Sequence, residues 1–407
     1  MTFFTSINNY YLAKARVLAK SVKKYMPEAP FILILSDKIP DGLNLDREPF
    51  DEIITIDQLG IPVENLSTWI YLHSVVELCT AVKGQALFNL LERYERVVYL
   101  DPDIVVLNDL LPLSILLDKY DIIFTPHQTV PEENDETIVK NEICSLQHGT
   151  YNFGFFAVKG NDNGKAYAKW YRDRLAKYCW DDKANGLFTD QRWGDIAPAL
   201  FDNLYIWKHP GANVCTWNLS HRVITKEDGI YYSNGYPLLF YHFSGFDSGA
   251  QLSELDIYSN GNPVLYELRN WYIEAINENG QQECEKILCF YNMYSDGANI
   301  TQEERYLFKR RLDLQQHFSN TNLFEAGENS YRSWLLNERR YELVENTESR
   351  ISQIIAERDR LMSVLDELNS VYNSRSWRIT KPLRKFAGLL KKVKIFILSL
   401  RMKHEKL

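Results

Sequence analysis

The apolar runs constrain this chain most. "FILIL" (residues 31–35) and "RVVYL" (96–100) are almost uninterrupted rather than alternating, the pattern of strands covered on both faces, as in parallel sheets. Between the first strand, "TFFTSI", and "FILIL" lies a helical repeat, with Leu12, Ala15, Leu18, Ala19 and Val22 spaced three or four apart. "DEIITIDQLGI" supplies another strand, and one helix is expected over residues 68–94. Further strands are expected at 121–126, 151–160, 203–210 and 237–245. Alternating strands and helices indicate an α/β fold, and such sheets bind ligands beyond the carboxyl ends of their strands.

At 407 residues the chain exceeds one small domain. The expected organisation is an α/β domain over 1–255 and a helical subdomain with a linker over 256–335. A coiled-coil-like helix follows over 336–374, then a basic tail over 375–407. In the helical region, "TQEERYLFKRRLDLQQHF" opens with a Thr301/Glu304 capping box, and the polar "SNTNLFEAGENS" reads as the linker. Ile351, Ile354, Leu361, Leu365 and Leu368 keep a 3–4 spacing, which suits either a short coiled coil, and through it a homodimer, or a helix packed on its own domain.

Net charge is −8, but residues 375–407 hold eleven Lys/Arg against one acid, Glu405, leaving −18 on the first 374 residues. Phe386, Leu389, Leu390, Val393, Phe396, Ile397 and Leu400 share a face of this tail. It is too charged to span a bilayer and reads as a basic amphipathic helix lying on an anionic membrane surface. The six cysteines show no CxxC pair and the N-terminus no signal peptide, so reduced thiols and a cytoplasmic site, peripheral on the inner membrane face, are expected. No nucleic-acid partner is expected.

The chemistry concentrates in "RVVYLDPDIVVL". Asp101 and Asp103 stand at the lip of a buried strand, where two carboxylates repel each other and lose hydration, so a compensating partner is required. One reading is a divalent cation, Mg²⁺ or Mn²⁺, bridging the aspartates to substrate phosphates. A second fits "DPDIV" to the Asp-x-Asp-x-Val of haloacid-dehalogenase-like phosphatases, although three strands precede it here and partner motifs are missing. A sugar nucleotidyltransferase would need a Gly-rich loop that "TSINNYYLAK" lacks. A non-catalytic membrane adaptor would rest on the coiled coil and tail alone.

The ordered motifs resemble the metal-dependent GT-A glycosyltransferases similar to glycosyltransferase family 8, including bacterial polysaccharide and lipopolysaccharide enzymes. The likeness runs over "NNYYLAKARVLAKSV", "AVKGQALFNLLERYERVVYLDPDIVVLNDL", "YNFGFFAVKG", "GLFTDQRW", "HPGANVCTWNL" and "YHFSGF", from residue 1 to 247. It implies a mixed, mostly parallel GT-A sheet flanked by helices, with Asp101, Asp103 and His242 holding Mn²⁺ or Mg²⁺. It places Thr5, Ser6, Asn9, Tyr10 and Asp101 on the nucleotide, with Asn9 and Tyr10 at the nucleoside, and Lys83, Asn152, Gly154 and the catalytic Asp190 on the donor sugar. Gln191 falls beneath the anomeric carbon, and Asn213 occupies a matching motif place. Two departures stand out. The first loop offers Thr5, Ser6, Ile7 and Asn8 where the family often has an Asp for the uracil edge, and no Lys follows Gly245, a gap that Lys83 or Arg192 would have to fill. The implied activity is transfer of a hexose, with retention, from a UDP-hexose to a hydroxyl of a glycan or lipid-linked glycan acceptor.

Overall fold

A computed structural model describes residues 1–40, 42–337 and 358. Residues Met1–Trp334 form one compact unit. The strands used below are β1 (Thr2–Ile7), β2 (Phe31–Leu35), β3 (Glu52–Thr55), β4 (Arg96–Leu100), β5 (Ile104–Val106), β6 (Ile122–Pro126), β7 (Tyr151–Lys159), β8 (Leu204–Ile206) and β9 (Phe240–His242). Seven of them make the central sheet, in the order β8-β6-β7-β4-β1-β2-β3. All neighbours run parallel except β7, which is antiparallel to both β4 and β6. The mixed, mostly parallel α/β sheet is therefore present. The continuous runs are buried as read: every residue of β2 and all of β4 but Arg96 are inside.

The helices used below are α1 (Leu12–Tyr25), α2 (Leu66–Leu72), α3 (Val75–Leu91), α4 (Asp162–Tyr178), α5 (Ala250–Tyr258), α6 (Pro263–Glu278) and α7 (Gln302–Arg310). The five repeat positions of α1 are all buried. The single helix expected over 68–94 is broken at His73–Ser74. There Ser74 and Glu77 form a capping box that starts α3, so the backbone N–H groups of a new helix end are satisfied locally. The Thr301/Glu304 box starts α7 as expected, but Arg311 leaves helical geometry and ends it. The polar stretch 319–330 is irregular, with Leu323 and Phe324 buried and the Phe324 ring 5.6 Å from Tyr71. Those two apolar side chains tie it down.

Three details place the functional residues. α3 lies against α4 at Gly84, where a Cβ would come 2.8 Å from Arg172 Cα; this close approach carries Lys83 towards the end of β4. The turn between β4 and β5 is Asp101-Pro102-Asp103, closed by Ile104 N–H donating to Asp101 O at 3.0 Å. β9 pairs antiparallel with β5, bringing His242 opposite Ile104 and beside Asp103. Among the described residues no helix is long and apolar enough to cross a membrane, and no cysteine there is in a disulfide. The heptad stretch and the basic tail lie, apart from residues 336, 337 and 358, outside the described residues.

Candidate active site

The carboxyl ends of β1 and β4 open into a cleft of about 950 Å³. Asp101, Asp103 and His242 meet in it, each offering a ligand atom within 4.8 Å of the others. His242 Nε2 is 3.1 Å from Asp103 Oδ1 and 3.8 Å from Asp101 Oδ2. Its Nδ1 lies 3.3 Å from Asn213 Oδ1, so a proton there donates to the amide and Nε2 is the nitrogen that faces the carboxylates, able to give up its proton to a cation. This is the orientation a metal-binding imidazole needs. Asn213 is itself fixed, donating to Thr125 Oγ1 (2.8 Å) and Asn152 Oδ1 (3.0 Å) from a left-handed backbone (φ 50°) that asparagine tolerates. Gly154 completes the arrangement, since a Cβ there would lie 2.4 Å from His242 Cε1 and 2.7 Å from Asn152 Oδ1. Two carboxylates and one imidazole of fixed tautomer are a donor set suited to Mn²⁺ or Mg²⁺.

The protein also supplies cations of its own. Lys83, 5% exposed, sets Nζ 3.3 Å from Asp101 Oδ1 and 3.2 Å from Asp190 Oδ2. Burial alone would push its ammonium down, but Asp101 and then Asp190 outweigh it and hold the pKa well above the ordinary lysine range. Burial likewise pushes the Asp103 carboxyl up, and His242 and the more distant Lys14 pull it lower still. Lys14, fully buried on α1 and ion-paired with Asp247, is a charge that the helical pattern gave no reason to notice. Asp101 further accepts the Tyr99 hydroxyl at 2.5 Å. Lys83 and His242 thus flank the aspartate pair from either side.

Across Lys83 from Asp101, Asp190 accepts from Tyr171 OH at 2.8 Å, and burial raises its pKa against the pull of Lys83. Gln191 Oε1 accepts from Phe153 N–H (3.2 Å) and its Nε2 donates to His148 O (2.9 Å), so the amide is committed at both ends and retains one acceptor lone pair. Thr189, just before this pair, sits at φ 44°, a strained conformation for a β-branched residue.

The first loop is arranged differently from the expected register. Ser6, Asn8 and Tyr11 line the cleft, whereas Thr5, Asn9 and Tyr10 do not. Strand alternation turns Thr5 to the other face of β1, and a 3-10 turn at Asn9–Tyr11 rotates the chain so that Asn9 Nδ2 donates to Lys38 O (2.8 Å). Arg192 does not supply the missing positive charge, since it donates to Leu146 O and pairs with Asp195 away from the cleft.

A second cavity of about 470 Å³ adjoins the first and shares Asn152, Phe188, Gln191 and Ser244 with it. His127, Trp217 and Glu254 line its remainder.

Residues 72–231 match the family model for nucleotide-diphospho-sugar transferases. Two Bacillus subtilis (strain 168) proteins, both uncharacterized, are each 28% identical to the chain. YfnF is matched over 60% of this chain and 81% of its own length, YfnD over 42% and 54%, so the chain spans about half of the latter. The galactosyltransferase LgtC, solved with donor and acceptor sugar analogues, shares 19% identity over 60% of this chain and 87% of LgtC, with a TM-score of 0.35. The matched segment contains β4, the Asp101–Asp103 turn, β7 and Gln191, and this chain is a glycosyltransferase built on a mixed, mostly parallel sheet. That assignment sets aside the phosphatase and adaptor readings.

Proposed function

We propose that this enzyme moves a hexose from a UDP-hexose to a hydroxyl of a bacterial surface glycan, with retention of configuration and dependence on Mn²⁺ or Mg²⁺. The observation that carries the reading is the Asp101/Asp103/His242 cluster, lying in a cleft that runs into a second cavity. A cation bound there would supply electrostatic stabilisation of the departing diphosphate. Asn152 and Asp190 hold the donor's hydroxyls, and Lys83 pairs with both Asp101 and Asp190. Gln191 presents an amide rather than a free carboxylate beside the anomeric carbon, which suits the retaining course. The second cavity takes the acceptor sugar against Trp217 and Phe188, aromatic rings that suit the apolar face of a pyranose. The eleven basic residues of 375–407 support adsorption to the cytoplasmic face of a membrane, where a lipid-linked acceptor would sit; co-sedimentation with anionic but not neutral vesicles tests that part.

The central test is thermal unfolding with a panel of nucleotide sugars, with and without Mn²⁺. A rise in Tm that needs both the cation and UDP-hexose, and disappears in Asp103→Ala, supports the reading. A well-folded sample indifferent to every nucleotide overturns it.

A further inference from the structure

Residues 289–305 lie far outside the family-matched segment, yet they build one wall of the cleft. Arg305, 5% exposed, rivets this wall in place: Nη1 donates to Tyr71 O (2.6 Å) and His73 O (2.9 Å), and Nη2 to Tyr291 O (2.5 Å) and Asn292 Oδ1 (3.2 Å). On its other side Phe290 N–H donates to Asp37 Oδ1 at 3.0 Å, with Lys38 Nζ 3.4 Å from the Phe290 ring. The wall is therefore fixed to the end of β2 and to the α2–α3 junction.

The direction of the donor follows from the second cavity. The transferred sugar must lie where the two cavities join, at Asn152 and Gln191. With the diphosphate at Asp101 and Asp103, the nucleobase falls at the opposite end, among Asn8, Tyr11, Val76, Asn292, Ile300 and Gln302. Three amides line the cleft. Asn8 is 7% exposed and its Oδ1 has no hydrogen-bond partner among the described residues, an acceptor held inside the protein without a donor. Asn292 has Oδ1 occupied by Arg305, which leaves Nδ2 to donate. Gln302 makes no side-chain hydrogen bond among the described residues.

Resting on the donor reading above, we infer that Asn292 and Gln302 of this C-terminal wall, facing Asn8, read the edge of the nucleobase and select uracil. The buried Asn8 carbonyl accepts from the base while Asn292 Nδ2 and the Gln302 amide donate on either side of it, a pattern met by uracil's N3–H between two carbonyl oxygens and not by cytosine, whose N3 is an acceptor. The loop after β1 then needs no carboxylate, because the discriminating contacts come from the far end of the chain.

Calorimetric titration of the full chain with UDP, CDP and inorganic diphosphate, each with Mn²⁺, tests this. Wild type should prefer UDP over CDP at least tenfold. In Asn292→Ala/Gln302→Ala that ratio should fall below threefold, with inorganic diphosphate bound within twofold of wild type. Both side chains are exposed, and Gln302→Glu, an isosteric change that removes the donor, should also lower UDP binding selectively. A double variant that keeps its tenfold preference overturns the inference, as does an equal loss for all three ligands, which would mark the wall as structural. If wild type binds inorganic diphosphate and all nucleotides alike, base reading fails while the metal site stands. If it binds none of them, the donor reading itself fails.

Discussion

Replacing Lys83 by Met tests the electrostatics of the cleft directly. The ammonium lies within 3.3 Å of two carboxylates and 4.2 Å from the Tyr99 ring centroid, and methionine fills nearly the same volume without charge. Breaking a buried ion pair from one side costs about 3–5 kcal/mol, because the remaining charge is left uncompensated. Asp101 is 27% exposed at its side chain and regains some hydration, whereas Asp190 is 4% exposed and does not. The lower end of the range follows, about 3 kcal/mol at pH 8. The loss must also depend on pH. Without Lys83, burial holds the folded-state pKa of Asp190 above its unfolded value near 3.9, so the native state binds the extra proton and stability falls as pH rises. At pH 5 the deficit should be smaller, as protonation of Asp190 relieves the burial of its charge. Urea unfolding followed by tryptophan fluorescence at both pH values reads this out, and Lys83→Met/Asp190→Asn should recover more than half of the pH 8 loss. A deficit under about 1 kcal/mol at pH 8, or an identical one at pH 5, would refute the account.

Three further outcomes follow from the geometry. Gly154→Ala should cost about 1–3 kcal/mol from the clash with His242 and Asn152 and abolish Mn²⁺ binding measured by calorimetry; unchanged Mn²⁺ affinity would mean that His242 is not a ligand. Asn213→Asp keeps the acceptor and the left-handed backbone but loses the donor to Thr125 and Asn152, and should weaken Mn²⁺ binding about 10–100-fold with little change in Tm at pH 7. Burial lowers His73 to about pKa 3 while the unfolded chain takes the proton near 6.5, so stability should fall by roughly 3 kcal/mol from pH 6.5 to 4. A His73→Gln variant should show a shallower Tm slope over that interval, and an equal slope would contradict the assignment.

Much of the sheet was legible because each strand carries its own signal: an apolar run of five or more is a local property, and so are the α1 repeat and the Asp101–Asp103 turn. The break at His73–Ser74 was also written locally, in Ser74-x-x-Glu77, but the apolar continuity of residues 68–94 masked it. The first-loop register was not readable, since a 3-10 turn and a helix start look alike over three residues and differ in which side chain faces the cleft. The double pairing of Lys83 and the placing of Asn292 and Gln302 depend on contacts between residues up to 253 positions apart, for which no local pattern exists. Leu323 and Phe324 show the same limit, two apolar residues in a polar stretch whose destination only the tertiary fold supplies.

The inverted strand β7 bears on how the molecule is made. β4 and β6 are both synthesised before it, yet they touch in the sheet only through it, so the β4-β1-β2-β3 half-sheet and the lone β6 keep open edges until residue 159 is available. Their union is a long-range event, slow compared with local helix formation, and the waiting edges are the aggregation-prone surfaces of the nascent chain. The residue that closes over Asp101 in that event is Gly154, whose carbonyl accepts the Asp101 N–H at 2.8 Å. Sheet closure thereby fixes the Asp101 turn, and His242 joins the cluster only when β9 pairs with β5.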